Sequence, residues 1–279
     1  VTASSLFIAQ ISDLHIKRPG ERAYGVVDTA EALERCIAHL NDMQPKPTLV
    51  VCSGDLVDSG LDEEYEHLKR LLAPLAYPLV VIPGNHDARE PLRRAFPDQP
   101  YAASAGAMNC LVKLDALDIV LLDSSVPGMA HGFLDTQTLT WLETVLAAPP
   151  ERPALVFLHH PPFETGIAYM DCLNLRNSTE FSHILGRHPR VRLTAAGHVH
   201  RAVLSEFAGR PATICPAPCD AVVLDIAGTL PPSFRLEPPA LHLHAWFAGP
   251  KYGNLVTHFV PIGQFEGPYP FFAEDGRIL

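Results

Sequence analysis

The chain has little of several things, and each shortage excludes a class. No apolar run approaches the roughly 20 residues that a membrane-spanning helix needs, so no membrane association is expected. Basic residues are scarce: 21 Lys and Arg stand against 31 Asp and Glu, for a formal net charge of −10. Affinity for a phosphate backbone requires clustered cations, so a nucleic-acid polymer is not an expected partner. Cysteines are sparse for the length, and most lie inside apolar stretches. Cys36, Cys52, Cys110, Cys172, Cys215 and Cys219 therefore read as free thiols rather than a disulfide framework. Cys215-Pro-Ala-Pro-Cys219 fits no usual zinc or redox spacing. That usage predicts a reducing, cytoplasmic setting. Val1 to Gln10 lacks the basic-then-apolar pattern of a secretory signal. Internal repeats and low-complexity tracts are absent. With 279 residues, 47% of them hydrophobic, a sizeable core is expected and disorder is not.

What the chain does have is fourteen histidines. Their placement follows from the element pattern. Leu6 to Ile11, Leu49 to Ser53 and Leu79 to Ile82 are short apolar runs that read as buried strands. Ala30, Leu33, Ile37, Leu40 and Met43 recur at helical spacing behind Asp28, which can cap that helix with Glu31 three residues on. Tyr65, Leu68, Leu72 and Leu75 mark a second helix. Further strands are expected at 110–114, 118–122, 154–158 and 191–195, with helices near 136–147 and 179–186. From 200 to 260 short strands dominate, at 202–207, 212–215, 221–226, 241–247 and 255–260. Strands alternating with helices predict an α/β class. Two packed sheets with helices outside them would bury so many strands.

The polar residues gather where strands end. Asp13 and His15 follow the first strand as D-L-H, and Asp55 the second as G-D-L-V-D. Asn85, His86 and Asp87 follow the third as G-N-H-D. His159 and His160 follow 154–158, and His198 and His200 follow 191–195 as G-H-V-H. In open α/β sheets the carboxyl edge is where ligands bind. So many carboxylate, amide and imidazole groups at one edge would be costly if unpaired. Divalent cations would satisfy them, and the mixed N/O set suits Zn²⁺, Mn²⁺ or Fe²⁺ better than Ca²⁺.

This ordered series resembles the calcineurin-like metallophosphoesterase superfamily. Tyr24-Gly25, His159-His160-Pro161-Pro162 and Gly267-Pro268-Tyr269 resemble a narrower group, the bacterial class III cyclic-nucleotide phosphodiesterases and related glycerophosphodiesterases. The resemblance implies a four-layer α/β/β/α sandwich of two mixed sheets with a small C-terminal cap or dimerisation segment. It implies two divalent ions, of Fe, Mn or Zn. Asp13, His15, Asp55 and His200 would hold the first, and Asp55, Asn85, His159 and His198 the second, with Asp55 bridging. His86 would face the substrate phosphate and leaving group. The implied reaction is hydrolysis of a small phosphodiester by in-line attack of a hydroxide held between the metals. The first substrate choice is a 3′,5′-cyclic nucleotide, giving the 5′-nucleotide, and the alternative a glycerophosphodiester. A non-catalytic metal-binding scaffold of the same fold is a further alternative. Homo-oligomers are also implied.

The Arg that the protein phosphatases of this superfamily carry after G-D-x-x-D is missing, because Ser59 stands there. A diester bears one charge fewer than a monoester and needs one cation less. Tyr24 is a candidate substrate contact. Asp58 and His160 read as supporting residues, Asp87 as a helix cap or a partner orienting a ligand imidazole, and His242 and His244 as plain strand residues. The expected division is a catalytic core over 1–205. Residues 206–279 would complete the second sheet and add a cap or oligomerisation segment.

Overall fold

The computed structural model describes residues 5–101, 106–149, 152–248 and 253–278. It begins with the three short strands and two helices expected: β1 (Leu6–Ile11), α1 (Thr29–Asp42), β2 (Leu49–Cys52), α2 (Asp62–Leu72) and β3 (Leu79–Val81). Asp28 caps α1 by accepting a hydrogen bond from the Glu31 backbone N–H at 3.1 Å, which satisfies one of the orphan donors of the first turn. There follow α3 (Arg89–Ala95), β4 (Cys110–Lys113), β5 (Asp118–Leu122), α4 (Thr136–Ala147), β6 (Ala154–Leu158), α5 (Ala168–Asp171), α6 (Ser178–Arg187) and β7 (Val191–Ala196). The remainder is strand: β8 (Val203–Phe207), β9 (Arg210–Ile214), β10 (Ala221–Val222), β11 (Phe234–Arg235), β12 (Ala240–Ala248) and β13 (Gly253–Pro261).

Two mixed sheets form, in the orders β13-β12-β1-β2-β3 and β4-β5-β6-β7-β9-β8. Strand alternation assigns their faces. Ile119 and Leu121 of β5 pack toward the first sheet, in one cluster with Ile8, Val51 and the α1 residues Leu33 and Leu40. Val120 and Leu122 point the other way, against Leu142 and Leu146 of α4 and Phe181 and Leu185 of α6. The result is the expected four-layer α/β/β/α sandwich. Strands covered on both faces read as continuous apolar runs, as β5 and β6 do.

Two strand expectations need correction. Residues 206–279 do not only complete the second sheet. β8 and β9 join it, but the β12–β13 hairpin joins the first, where β12 runs antiparallel to β1 with Leu6 opposite Trp246. Alternation shows which residues of a strand share a face; it does not show which sheet edge the strand will cover. β2 occupies one edge of β1, and the hairpin takes the other. The strand expected over 221–226 is also shorter. Ala221–Val222 pairs only with Phe234–Arg235, and Asp225 turns the chain by accepting from the Leu230 N–H at 2.6 Å.

β1, β2 and β3 are mutually parallel, as are β5, β6, β7 and β9. The loops after β1, β2, β3, β6 and β7 therefore open at the edge where the two sheets meet.

Candidate metal centre

These loops are locked together by their backbones before any side chain acts. The Asp13 N–H donates to the Gly54 carbonyl at 3.0 Å, His15 N–H to Asp55 O at 3.0 Å, and Gly197 N–H to His159 O at 2.9 Å. Asp13 also accepts from the His198 N–H at 2.9 Å, which ties the first strand loop to the seventh. The packing leaves no room for larger residues at the glycines. A Cβ on Gly84 would lie 2.1 Å from Asp55 Oδ1, and one on Gly54, whose φ is +107°, would lie 2.4 Å from His159 Nδ1. Asp13, His15, Asp55, His198 and His200 all hold positive φ, between 44° and 75°. Non-glycine residues adopt this region at a cost, and such strain collects at functional sites.

All seven residues expected as ligands meet here. His15 Nε2 lies 3.1 Å from His200 Nε2 and 3.6 Å from Asp55 Oδ2. His200 Nε2 is 3.6 Å from Asp13 Oδ1. On the other side, His159 Nε2 is 3.3 Å from Asp55 Oδ2 and 3.2 Å from Asn85 Oδ1. Asp55 thus stands between two groups of imidazoles. His198 completes the second group, with its ligand atom within 4.8 Å of those of His159 and His160.

The donor set fits divalent cations. His198 Nε2 is buried and takes no hydrogen bond, an arrangement that is expensive unless something else satisfies the atom. The protons also divide unevenly. Burial would lower His159 and His200, but Asp55 and Asp13 override it and raise both to about 9. Burial and neighbouring imidazoles push His160 and His198 well below the usual range. Asp55 is held well down by His159, His86 and His15 against its own burial. Protons leave the His198 ring without a partner, whereas cations would engage one nitrogen of each ligand imidazole.

The neighbours differ in role from the ligands. His86 Nδ1 donates to the Asp58 carbonyl, 2.7 Å away, which leaves Nε2 for the cavity. Its backbone N–H donates to Asp55 Oδ1 at 2.9 Å. Asp58 pairs with Lys17 at 2.6 Å and stands 3.7 Å from His15 Nδ1. His160 bonds Ser124 Oγ at 2.8 Å. Asp87 neither caps a helix nor touches a ligand imidazole. It accepts from the N–H groups of Gly84 and Leu56 and from the Tyr65 hydroxyl, and so fastens the loop after β3 to that after β2. His244 is a strand residue, bonded to Gln10 Oε1 and Thr257 Oγ1 in the core.

A cavity of about 470 Å³ opens above the cluster. Its floor includes His15, Asp55, Asn85, His86, His198 and His200; its wall includes Tyr24, Tyr169, Met170 and Phe234. Tyr24 and Phe234 rings lie 4.7 Å apart. Burial and Asp220 raise the Tyr24 hydroxyl, which stays protonated. Phe234, Tyr169 and Asp220 were not expected from sequence. Asp220 follows β9, which is parallel to β7, so the strand-end rule extends to its loop once that pairing is known.

The comparisons agree with this geometry. Residues 7–202 match the family model described as calcineurin-like phosphoesterase. A probable glycerophosphodiester phosphodiesterase GpdQ from Arcobacter nitrofigilis is 38% identical, over 98% of this chain and all of that protein. A 3′,5′-cyclic adenosine monophosphate phosphodiesterase CpdA from Pseudomonas aeruginosa is 35% identical, over 72% of this chain and 71% of that one. Among solved structures, a dimetal phosphatase from Danio rerio superposes with a TM-score of 0.61 at 14% identity, covering 92% of this chain and 99% of that one. The chain belongs to the calcineurin-like phosphoesterase family.

Proposed function

We propose that the protein is a dinuclear metal-dependent phosphodiesterase acting on small diesters, with 3′,5′-cyclic nucleotides as first choice. The observation that carries this reading is the convergence of seven ligand-type side chains in one cluster, five of which form, with His86, the floor of an open cavity. Asp13, His15, Asp55 and His200 would hold one metal, and Asp55, Asn85, His159 and His198 the other. Fe, Mn and Zn all suit the donors. Two bound cations would polarise the phosphoryl oxygens and acidify water for attack at neutral pH. The chain's own contribution is position and protons. Burial disfavours the charged form of His86, but Asp55 and the Asp58 carbonyl raise its pKa above the usual value. Its Nε2 can therefore protonate the departing 3′ alkoxide as the P–O3′ bond breaks, the phosphate staying on the 5′ oxygen.

The cavity wall narrows the substrate. No Lys or Arg among the described residues lines it, which suits a monoanionic diester better than a monoester dianion or a polynucleotide. The Tyr24–Phe234 pair offers flat apolar faces, as a nucleobase requires. A second reading, glycerophosphodiester hydrolysis, is favoured by the Arcobacter relative, whose match extends through the segment that supplies Phe234. The exposed Phe247, Phe259, Phe265 and Phe271 support an oligomerisation role for the C-terminal segment beyond the core. Six free cysteines support a reducing compartment.

A substrate panel tests the proposal. The protein is loaded with Mn²⁺, Fe²⁺ or Zn²⁺ and offered cyclic AMP, cyclic GMP, glycerophosphoethanolamine, an aryl monoester and single-stranded DNA. Metal-dependent turnover with the highest kcat/KM on a cyclic nucleotide is expected. Turnover of the glycerophosphodiester with cyclic nucleotides untouched would establish the second reading. Preference for the monoester or DNA, or metal-loaded protein without activity, would overturn both.

A further inference from the structure

The loop after β9 brings a carboxylate to the metal edge that belongs to none of the motif blocks. β9 runs parallel to β7, with Ile214 opposite Ala196. The loop beyond it is pinned to the β7 side: the Cys215 N–H donates to Ala196 O at 2.8 Å, and the Ala217 N–H to His200 O at 3.2 Å. Asp220 then arrives behind His200, 4% exposed. Its Oδ2 is 3.2 Å from His200 Nδ1, and its Oδ1 accepts from the Cys219 thiol at 3.1 Å. The thiol in turn leans on the Asp13 carbonyl at 3.5 Å. Both carboxylate oxygens are therefore engaged, and the group cannot swing away without losing two partners.

An imidazole has two nitrogens with opposite needs. In the neutral ring one nitrogen carries the proton and the other the lone pair that can bind a cation. With Nδ1–H directed at Asp220, the His200 lone pair is on Nε2, which faces Asp13 and His15. His159, on the other side of Asp55, has Nδ1 at a neutral partner, the Ser53 carbonyl, 2.9 Å away. The two imidazoles thus have different supports. A carboxylate adds charge as well as direction and makes the ring it holds a stronger donor.

We propose that Asp220 is a positioning residue that fixes His200 in the Nε2-donor tautomer for the first metal and strengthens that ligand. The proposal rests on the dinuclear reading above. It also gives the C-terminal segment a part in the centre, since Asp220 lies past the residues matched by the family model.

The test is isothermal titration of metal-free protein with Zn²⁺, with the nearly isosteric Asp220→Asn beside Asp220→Ala. Wild type is expected to take two ions. In Asp220→Ala one of the two affinities should fall about 10- to 100-fold, the usual cost of losing such a partner. The other should stay, and Asp220→Asn should recover part of the loss. Thermal unfolding of the metal-free variants reports whether they fold, and if Asp220→Ala does not, Asp220→Asn alone decides. Two unchanged affinities in a folded variant would overturn the positioning role while leaving the dinuclear reading intact. A wild-type protein that binds no ion would overturn the dinuclear reading itself.

Discussion

The floor and the wall of the cavity are built from different materials. The floor is buried, polar and held by backbone bonds between loops of both sheets; Asp13 is 0% and Asp55 2% exposed. The wall is apolar and open, with Tyr24 55% and Tyr169 52% exposed. Small changes on the floor meet atoms at once, as the 2.1 Å approach of a Gly84 Cβ to Asp55 shows. The wall has space to vary. Such a division separates the chemistry from the choice of substrate, and substitutions on either side should show it.

The largest effect is expected at Asp55, where the two imidazole groups meet. Asp55→Asn keeps the shape and removes the charge. Turnover should fall by ~10³-fold or more, since the carboxylate that would hold both metals is lost, and with them the positive charge that stabilises the transition state. Titration should show both metal affinities weakened. If only one weakens, Asp55 is not shared. Asn85→Ala is the contrast: it should weaken one metal alone and slow turnover at limiting metal, with excess metal restoring the rate. Unchanged metal affinity would remove Asn85 from the ligand set.

His86 is on the floor without being an expected ligand. His86→Ala should lower kcat by ~10²–10³-fold, within the usual range for a general acid. Elemental analysis should still find both metals. Their loss would make His86 a ligand. That outcome has a geometric rationale, because its ring nitrogen lies within 4.8 Å of the His15 and Asp55 ligand atoms.

Protonation should separate floor from wall as well. In the metal-free chain His159 and His200 have pKa values of about 9, raised by Asp55 and Asp13 against burial. Below that pH both carry a proton that a metal must displace. Affinity should therefore rise with pH up to about 9. Each ion displaces one such proton, which corresponds to about tenfold in each affinity per pH unit below it and about a hundredfold for loading both. Calorimetry at pH 7 in buffers of different ionisation enthalpy should show release of about two protons per protein. Release of none would mean that these imidazoles are neutral before metal arrives.

The same division governs what sequence reveals. Asp13, Asp55, Asn85, His159 and His198 were legible because parallel strands deliver their next residues to a common edge, and because short motifs mark those positions. The three strands β1 to β3 were legible from short apolar runs between turn residues. Phe234 was not, since an aromatic residue just past Pro231-Pro232 has no pattern that points to a partner 210 residues away at Tyr24. Asp220 sits beside a cysteine in an irregular loop and becomes meaningful only once β9 is known to lie next to β7. The placement of β12 and β13 failed for a related reason: His242 and His244 alternate correctly for a strand, but their partner Gln10 lies across the chain on β1. Local periodicity encodes the element, and long-range pairing decides its address.

The smallest effect, and the sharpest for substrate choice, is expected on the wall. Phe234→Ala removes one face of the aromatic pair and leaves the floor intact. Stacking of a base on an aromatic ring contributes about 1–3 kcal/mol. Phe234 is only half-buried, which puts its effect at the low end, a rise in KM for cyclic AMP of about 5- to 10-fold. The kcat value should stay within about twofold, because a contact equally strong in ground and transition states changes binding alone. Glycerophosphoethanolamine has no ring to stack, so its KM should not move. Equal losses on both substrates would mean that Phe234 only props Tyr24 in place. Tyr24→Ala would then impair both substrates alike, and the case for a base-binding wall would fall.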